Sequence, residues 1–243
     1  MASSLPPGLD LSTIPISPPP PGQQSNFINP PSTSWAGRLA VYLTLPFAVV
    51  AVILRIYVRV KNGQMGADDY LLLAAAAASF SFSGVCLVTF LNDVYGRHQW
   101  DIPLSELKQS LFQQDLTSTL LYTVSAPLIK VAILALCLRL FRPSHRATVF
   151  VWVGIVVIPI YYITLIVVFL YYFVPRPGDG GWGSPKANAR SLYPSGITTF
   201  IQGVGGIISD FYVLAIPVFM VLKLNLPIRR RIGVSCIFLT GLV

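Results

Sequence analysis

LTSTLLYTVSAPLIKVAILALCLRLF, residues Leu116 to Phe141, is an apolar run that carries a lysine, Lys130, near its middle and an arginine, Arg139, near its end. A cationic side chain at the centre of a membrane helix costs about 2.5–3.5 kcal/mol on insertion scales, so it is kept where it faces a bundle interior, a wet cavity or a partner charge. Asp210, set inside a second apolar run from Thr198 to Leu222, is the candidate partner. Together the two charges point to a multi-span membrane protein whose interior is polar at one level.

The bulk numbers agree. The chain is 54% hydrophobic and 11% charged, where an average soluble domain is about 25% charged, and its mean hydropathy is +0.67. Its apolar residues come in blocks of about twenty, the length of helix that crosses a hydrocarbon core of about 30 Å. The blocks are continuous and do not alternate, which selects helices over barrel strands. The fold class is therefore all-α, a polytopic transmembrane helical bundle.

The first 35 residues differ in kind. They are rich in Pro, Ser and Gln, contain the run Pro18-Pro19-Pro20-Pro21, and hold one acid, Asp10, with no Lys or Arg. Without a basic start and apolar core this is no cleavable signal peptide, and the composition predicts a disordered or polyproline-like tail. A membrane domain over residues 36–243 follows.

Its spans are expected at Ala36 to Val58, Tyr70 to Leu91, Asp115 to Leu140, Ala147 to Phe173 and Ile197 to Leu222. A sixth opens at Ile232 and reaches Val243, about 18 Å of helix in a core of about 30 Å. The sequence thus reads as five full spans and a partial sixth, a fragment or an abnormally ended chain.

Lys and Arg in short connections stay on the cytoplasmic side. Arg55, Arg59 and Lys61 sit between spans one and two, Arg139, Arg142 and Arg146 between three and four, and Lys223, Arg229, Arg230 and Arg231 after five. The other connections hold fewer, offset by Asp93, Asp101 and Glu106 in the first of them. This alternation places the N-terminus outside and the Arg-rich turns inside. It also accounts for the net charge of +8, so a nucleic-acid partner is not expected.

Lys130 precedes Arg139 by nine residues and Asp210 precedes Lys223 by thirteen, depths of about 13 Å and 19 Å from the inner end. That offset is within reach of an extended lysine, so the two pair directly or through water; otherwise Lys130 snorkels to the inner headgroups while Asp210 is protonated or hydrogen-bonded alone. Asp68 and Asp69, at the inner end of span two, either engage arginines of the inner turns or cap the second helix. Pro46, Pro127, Pro159 and Pro217 fall within spans and are read as static kinks. Ala74 to Ala78 and Gly203, Gly205 and Gly206 are read as close packing surfaces.

No catalytic set assembles. His98 and His145 fall on opposite sides of the membrane, and Cys86, Cys137 and Cys236 lie in separate spans with no ligand spacing. Neither an enzyme nor a metal site is expected.

The order of short motifs resembles a known family. Arg55-Ile-Tyr-Val-Arg59, Gly66-Ala-Asp68-Asp69-Tyr70, Gly96-Arg97-His98-Gln99-Trp100-Asp101, Leu128-Ile129-Lys130 through Arg139-Leu140-Phe141, and Asp210 with Leu214-Ala-Ile-Pro217 before a basic turn are similar to the fungal rhodopsin-like domain. The resemblance covers about Trp35 to Val243 and implies a seven-span integral membrane protein, akin in some members to G-protein-coupled receptors. By that resemblance Asp68, Asp69, Gly96, His98, Trp100, Lys130, Arg139, Asp210 and Pro217 occupy the family's marked positions. The loop from Val174 to Gly196 carries Trp182 but no Cys, where relatives commonly place cysteines. The seventh span, where retinal-binding rhodopsins carry their Schiff-base lysine, is absent from this sequence, so the resemblance gives no ground for a chromophore and no cofactor is expected.

Two function classes follow. One is a receptor-like or sensory bundle in the plasma membrane, with Lys130 and Asp210 as an internal lock, His98 and Trp100 near the outer mouth, and the Arg-rich turns facing lipid phosphates or a cytoplasmic signalling partner. The other is a transporter or channel-like protein whose buried charges line a path. The ligand is not legible.

Overall fold

A computed structural model of the chain describes residues 10–92, 94–141 and 145–223. Its long elements are five helices, α1 (Ser34–Lys61), α2 (Ala67–Leu91), α3 (Gln109–Phe141), α4 (His145–Phe173) and α5 (Pro185–Lys223). All five are long and apolar enough to cross a membrane, so the chain is a multi-pass membrane protein. The expected sixth span, with Cys236 and the basic turn at Arg229 to Arg231, lies outside the described residues.

The helices begin and end where local chemistry directs. Arg59 and Lys61 fill the last turn of α1 and Asp68 and Asp69 the first turn of α2, the charge signs that helix dipoles favour at those ends. The α5 helix starts earlier than hydropathy indicates: Pro185 occupies its first position and Ser184 Oγ accepts the Ala187 N–H at 3.2 Å, a Pro and Ser start signal. At 39 residues α5 is about 58 Å long, so its first turns stand clear of a core of about 30 Å. Pro46, Pro127, Pro159, Pro194 and Pro217 all lie within helices.

The central helix is α3, which packs against α2, α4 and α5, while α1 packs on α2. The apolar core joins α3, α4 and α5 through Leu134, Cys137, Val151, Ile158, Tyr162, Phe169, Val213 and Ile216. Only 6% of the most apolar window of α1 is buried, and Phe47, Val50 and Leu54 point outward. In a bilayer such a face is solvated by acyl chains.

The N-terminal segment does not hang free over residues 10–33, as its composition led one to expect. It lies along the α2–α3 connection, with Ile16 N–H donating to Ile102 O at 3.0 Å and Leu104 N–H to Ile14 O at 2.9 Å around an antiparallel bridge between Pro15 and Pro103. Asn26 N–H donates to Asp101 Oδ1 at 2.8 Å. Pro-rich chain cannot form a full ladder, yet its few remaining N–H groups find acceptors on the neighbouring loop.

Candidate functional site

Lys130 projects from α3 into the seam with α4 and α5 and is 6% exposed. Its Nζ donates to Ser209 Oγ at 2.6 Å, Tyr162 Oη at 3.0 Å and Gly206 O at 3.2 Å, and lies 3.1 Å from Asp210 Oδ1. The ammonium also stands 5.3 Å from the Tyr162 ring centroid, where the ring face attracts a cation. The structure thus brings the expected pair together. Asp210, however, is at the edge of the described bundle and not in its core, because its side chain is 55% exposed while that of Lys130 is 7% exposed. The flexible four-carbon stem of lysine spans the difference.

The neutral partners escaped the sequence reading. Tyr162 is fully buried, and Ser209 Oγ itself donates to Gly206 O at 2.8 Å. Two turns of α3 before Lys130, Gln202 Nε2 donates to the buried Thr123 Oγ1 at 2.8 Å. A polar seam therefore runs along the α3–α5 interface, and each member has the partner that a low-dielectric setting demands.

The second cluster ties the Arg-rich C-terminal ends of α1 and α3 to the acidic first turn of α2. Asp68 and Asp69 are 5% and 0% exposed. Arg55 Nη2 lies 3.1 Å from each of Asp68 Oδ2 and Asp69 Oδ1, and Arg59 Nε lies 3.6 Å from Asp69 Oδ1. Arg139 Nη1 reaches Asp68 Oδ1 at 2.7 Å and Asp69 Oδ2 at 3.1 Å, and Arg139 Nη2 donates to Gln64 O. Asp69 Oδ2 also accepts the Gly66 N–H at 3.1 Å, closing the start of α2. Pairing and capping, the two roles weighed for these acids, are both present, and Asp69 performs both.

At the opposite end His98 and Trp100 stack with ring centroids 4.2 Å apart and planes at 6°. Gly96 has φ of 95°, and its carbonyl accepts from the Thr33 N–H at 2.9 Å and the Thr33 hydroxyl at 3.1 Å. A side chain there would meet both a left-handed backbone and Ser34. Arg190, in the second turn of α5, pairs with Asp179 of the α4–α5 connection and donates to Tyr172 O and Val174 O. The Arg176 N–H donates to Asp179 Oδ2 at 2.7 Å. That backbone hydrogen bond and the Arg190 side chain hold the Asp179 carboxyl below its ordinary value.

Pro217 is buried in α5, seven residues beyond Asp210. Lys130 with Asp210 forms one centre, Asp68, Asp69 and Arg139 a second, and Gly96, His98 and Trp100 a third.

Known proteins share this chain's pattern. It is 25% identical over 233 residues to the fugralins biosynthesis cluster protein 2 of Gibberella zeae, covering 93% of this chain and 56% of that one. It is 28% identical over 150 residues to an SAT4 family membrane protein of Emericella nidulans, covering 60% of this chain and 38% of the relative. The chain therefore spans about half the length, or less, of these curated relatives. No solved structure matches it. The family model of the fungal rhodopsin domain matches residues 54–243, taking in the Arg-rich cluster, the His98–Trp100 stack and the Lys130 centre alike, and the chain belongs to that family.

Proposed function

We propose that this chain is the membrane domain of a receptor-like protein of the plasma membrane, in which Lys130 and Asp210 form an internal lock between α3 and α5 and no bond-making chemistry takes place. The observation that supports this reading is a surplus of acceptors. An ammonium has three N–H donors, whereas Tyr162, Gly206, Ser209 and Asp210 all offer oxygens within 3.2 Å of Lys130 Nζ. One of them is always in excess. Asp210 is the exchangeable one, since its carboxylate is the exposed member. A ligand cation or donor that engages Asp210 leaves Lys130 with Tyr162 on α4 and with Ser209 and Gly206 on α5, so the tie from α3 to α5 loses its ionic part and is weakened to two neutral acceptors while the tie from α3 to α4 is unchanged. The Arg-rich turns would then present the changed spacing to a cytoplasmic partner.

Distances between spin labels at the Arg-rich ends of α3 and α5 test this. Asp210→Asn should lengthen or broaden that distance in the folded protein and leave the α3–α4 distance unchanged. Identical distributions in wild type, Asp210→Asn and Lys130→Met would remove the lock.

The exposure of Asp210 at span depth favours one other reading, a transport path that uses the carboxylate as a relay. Proton-gradient-driven uptake in proteoliposomes, abolished by Asp210→Asn, would replace the receptor reading with that one.

A further inference from the structure

We propose that the α2–α3 connection is a peptide-docking edge for an extended segment with an uncharged apolar-Pro-apolar core, and that residues 11–16 of this chain sit on it as an exchangeable occupant. The N-terminal strap crosses the connection antiparallel and in order. Ser105 N–H donates to Leu11 O at 3.2 Å, Leu104 N–H to Ile14 O at 2.9 Å and Ile16 N–H to Ile102 O at 3.0 Å. Further along, Asn26 N–H donates to Asp101 Oδ1 at 2.8 Å and Thr33 N–H to Gly96 O at 2.9 Å. The edge is therefore filled, and its occupant defines the chemistry that fits it.

That chemistry favours proline. Ile14-Pro15-Ile16 lies against Ile102-Pro103-Leu104, with Pro15 opposite Pro103 in the bridge. Both hydrogen bonds come from the flanking residues, so the position opposite Pro103 needs no N–H and a proline loses nothing there. Proline also confines the residue before it to extended backbone, which lowers the ordering cost of docking. Ile14 and Ile16 share one face of the extended segment and are half-buried, and Ile102 is 6% exposed. A charged side chain at either flank would be drawn out of water without a partner.

The occupant can leave without unfolding the strap. Residues 17–25 separate the Leu11–Ile16 contact from the anchors at Asn26 and Thr33, and among the described residues none of their backbone groups bonds to the connection. This stretch turns on itself instead, with Gln23 N–H donating to Pro20 O at 3.1 Å and Gly22 at φ of 86°, while Pro18, Pro20 and Pro21 are exposed. So few bonds open locally at low cost, and the tether returns the segment at an effective concentration of about millimolar. A free peptide that makes the same bonds competes on equal chemistry. The edge lies at the end of the bundle away from the Arg-rich cluster and does not rest on the Lys130–Asp210 lock.

The experiment is hydrogen exchange at single-amide resolution on the full chain in nanodiscs. The probe is a synthetic peptide of residues 10–19, and its control is the same peptide N-methylated at Ile16, which lacks the donor to Ile102 O. At about millimolar peptide the chain's own Ile16 amide should exchange faster while the Leu104 and Ser105 amides stay protected, because the peptide now supplies their acceptors. Ile16→Pro in the chain removes the same donor from the tethered segment and should lower the peptide concentration for half effect by about five-fold, the worth of one backbone hydrogen bond. Faster exchange at Leu104 and Ser105 along with Ile16 would mean that the connection opens with nothing replacing the strap, and would overturn the docking edge. Equal action of the two peptides, or no response at about ten millimolar in either chain, would overturn it too. Native mass spectrometry in detergent that finds two chains parting when the peptide is added would give the edge to the strap of a second copy and overturn the free-peptide partner.

Discussion

Arg139 Nη1 lies 2.7 Å from Asp68 Oδ1, a link from the end of α3 to the start of α2. Around it Asp68 and Asp69 are almost fully buried while their arginines keep part of their surface in water. Removing an acid strands partly buried guanidinium groups, whereas removing one arginine leaves others in place. Asp69→Ala should therefore cost about 3 kcal/mol, the low end for breaking a buried pair. Asp68→Ala should cost less, because Asp69 has a third arginine and the Gly66 N–H in addition. Equilibrium unfolding in detergent measures both, and equal costs would contradict the cluster as described.

The Lys130 centre predicts a coupling. Lys130→Met in the wild-type background leaves Ser209, Tyr162 and Asp210 without their shared donor, while in Asp210→Asn the carboxylate is already gone. A double-mutant cycle should give about 1 kcal/mol of interaction, the lower part of the usual range because Asp210 is exposed. Tyr162→Phe alone should cost about 1–2 kcal/mol through the lost hydroxyl partner. A coupling of zero would mean that Lys130 is held by its neutral partners and that the ion pair contributes nothing.

The ionic half of these sites was legible because a charge in an apolar run is a rare event. Lys130 and Asp210 announce themselves, and Arg139 and the two acids stand at span ends where charge has a known preference. Tyr162, Ser209, Gln202 and Thr123 were not legible, since an uncharged polar residue in an apolar run reads equally as lipid-facing, self-bonded to its own helix or buried in a seam. The five spans followed from hydropathy, yet the start of α5 at Pro185 did not. Its signal was the Ser184-Pro185 pair, which a hydropathy window averages away. The docking of residues 10–33 was hidden for a different reason: Pro-rich composition says how few N–H groups a segment has and nothing about where they go.

Glycines of α5 divide by their neighbours. A Cβ on Gly205 would fall within the Tyr161 ring, whose hydroxyl donates to Ile201 O at 2.6 Å, while nothing lies within 4 Å of one on Gly203. Gly205→Ala should destabilise by about 1–3 kcal/mol through overpacking. Gly203→Ala should stabilise the helix by up to about 1 kcal/mol, the ordinary propensity gain. Thermal unfolding of the two single variants decides, and the same sign for both would refute the α4–α5 approach.

The α4–α5 connection should respond to acid. Asp179 is held below its usual pKa by the Arg176 N–H and by Arg190. A carboxylate depressed in the folded state adds stability above its unfolded value and loses it as pH falls through the lower, folded one. The loop should thus stay closed at neutral pH and loosen only below about pH 3.8, the ordinary value. Trp182 emission reports the step, and Asp179→Asn should abolish it. A transition centred above that value would assign the change to another group.

The strap of residues 10–33 should protect the α2–α3 connection. Asp101 is 3% exposed and takes the Asn26 N–H, and the Ile16–Ile102 and Leu104–Ile14 hydrogen bonds clamp the two short 3-10 turns Gln99–Asp101 and Leu104–Glu106. These turns are too short to persist by themselves, because a single turn repays little of its ordering entropy. Deleting residues 1–25 removes the acceptors and donors of the bridge but leaves every long helix intact. Local opening should then exceed global opening, so trypsin should cut at Arg97 or Lys108 faster than in the full chain while the thermal midpoint barely moves. Arg97 would be the slower site, since its side chain is 18% exposed and pairs with Glu106 at 3.5 Å. Asp101→Ala should give the same cleavage pattern with the strap present, because it removes the acceptor that holds Asn26. Cleavage unchanged in both variants would show that the turns hold themselves and that the strap is a passenger on them.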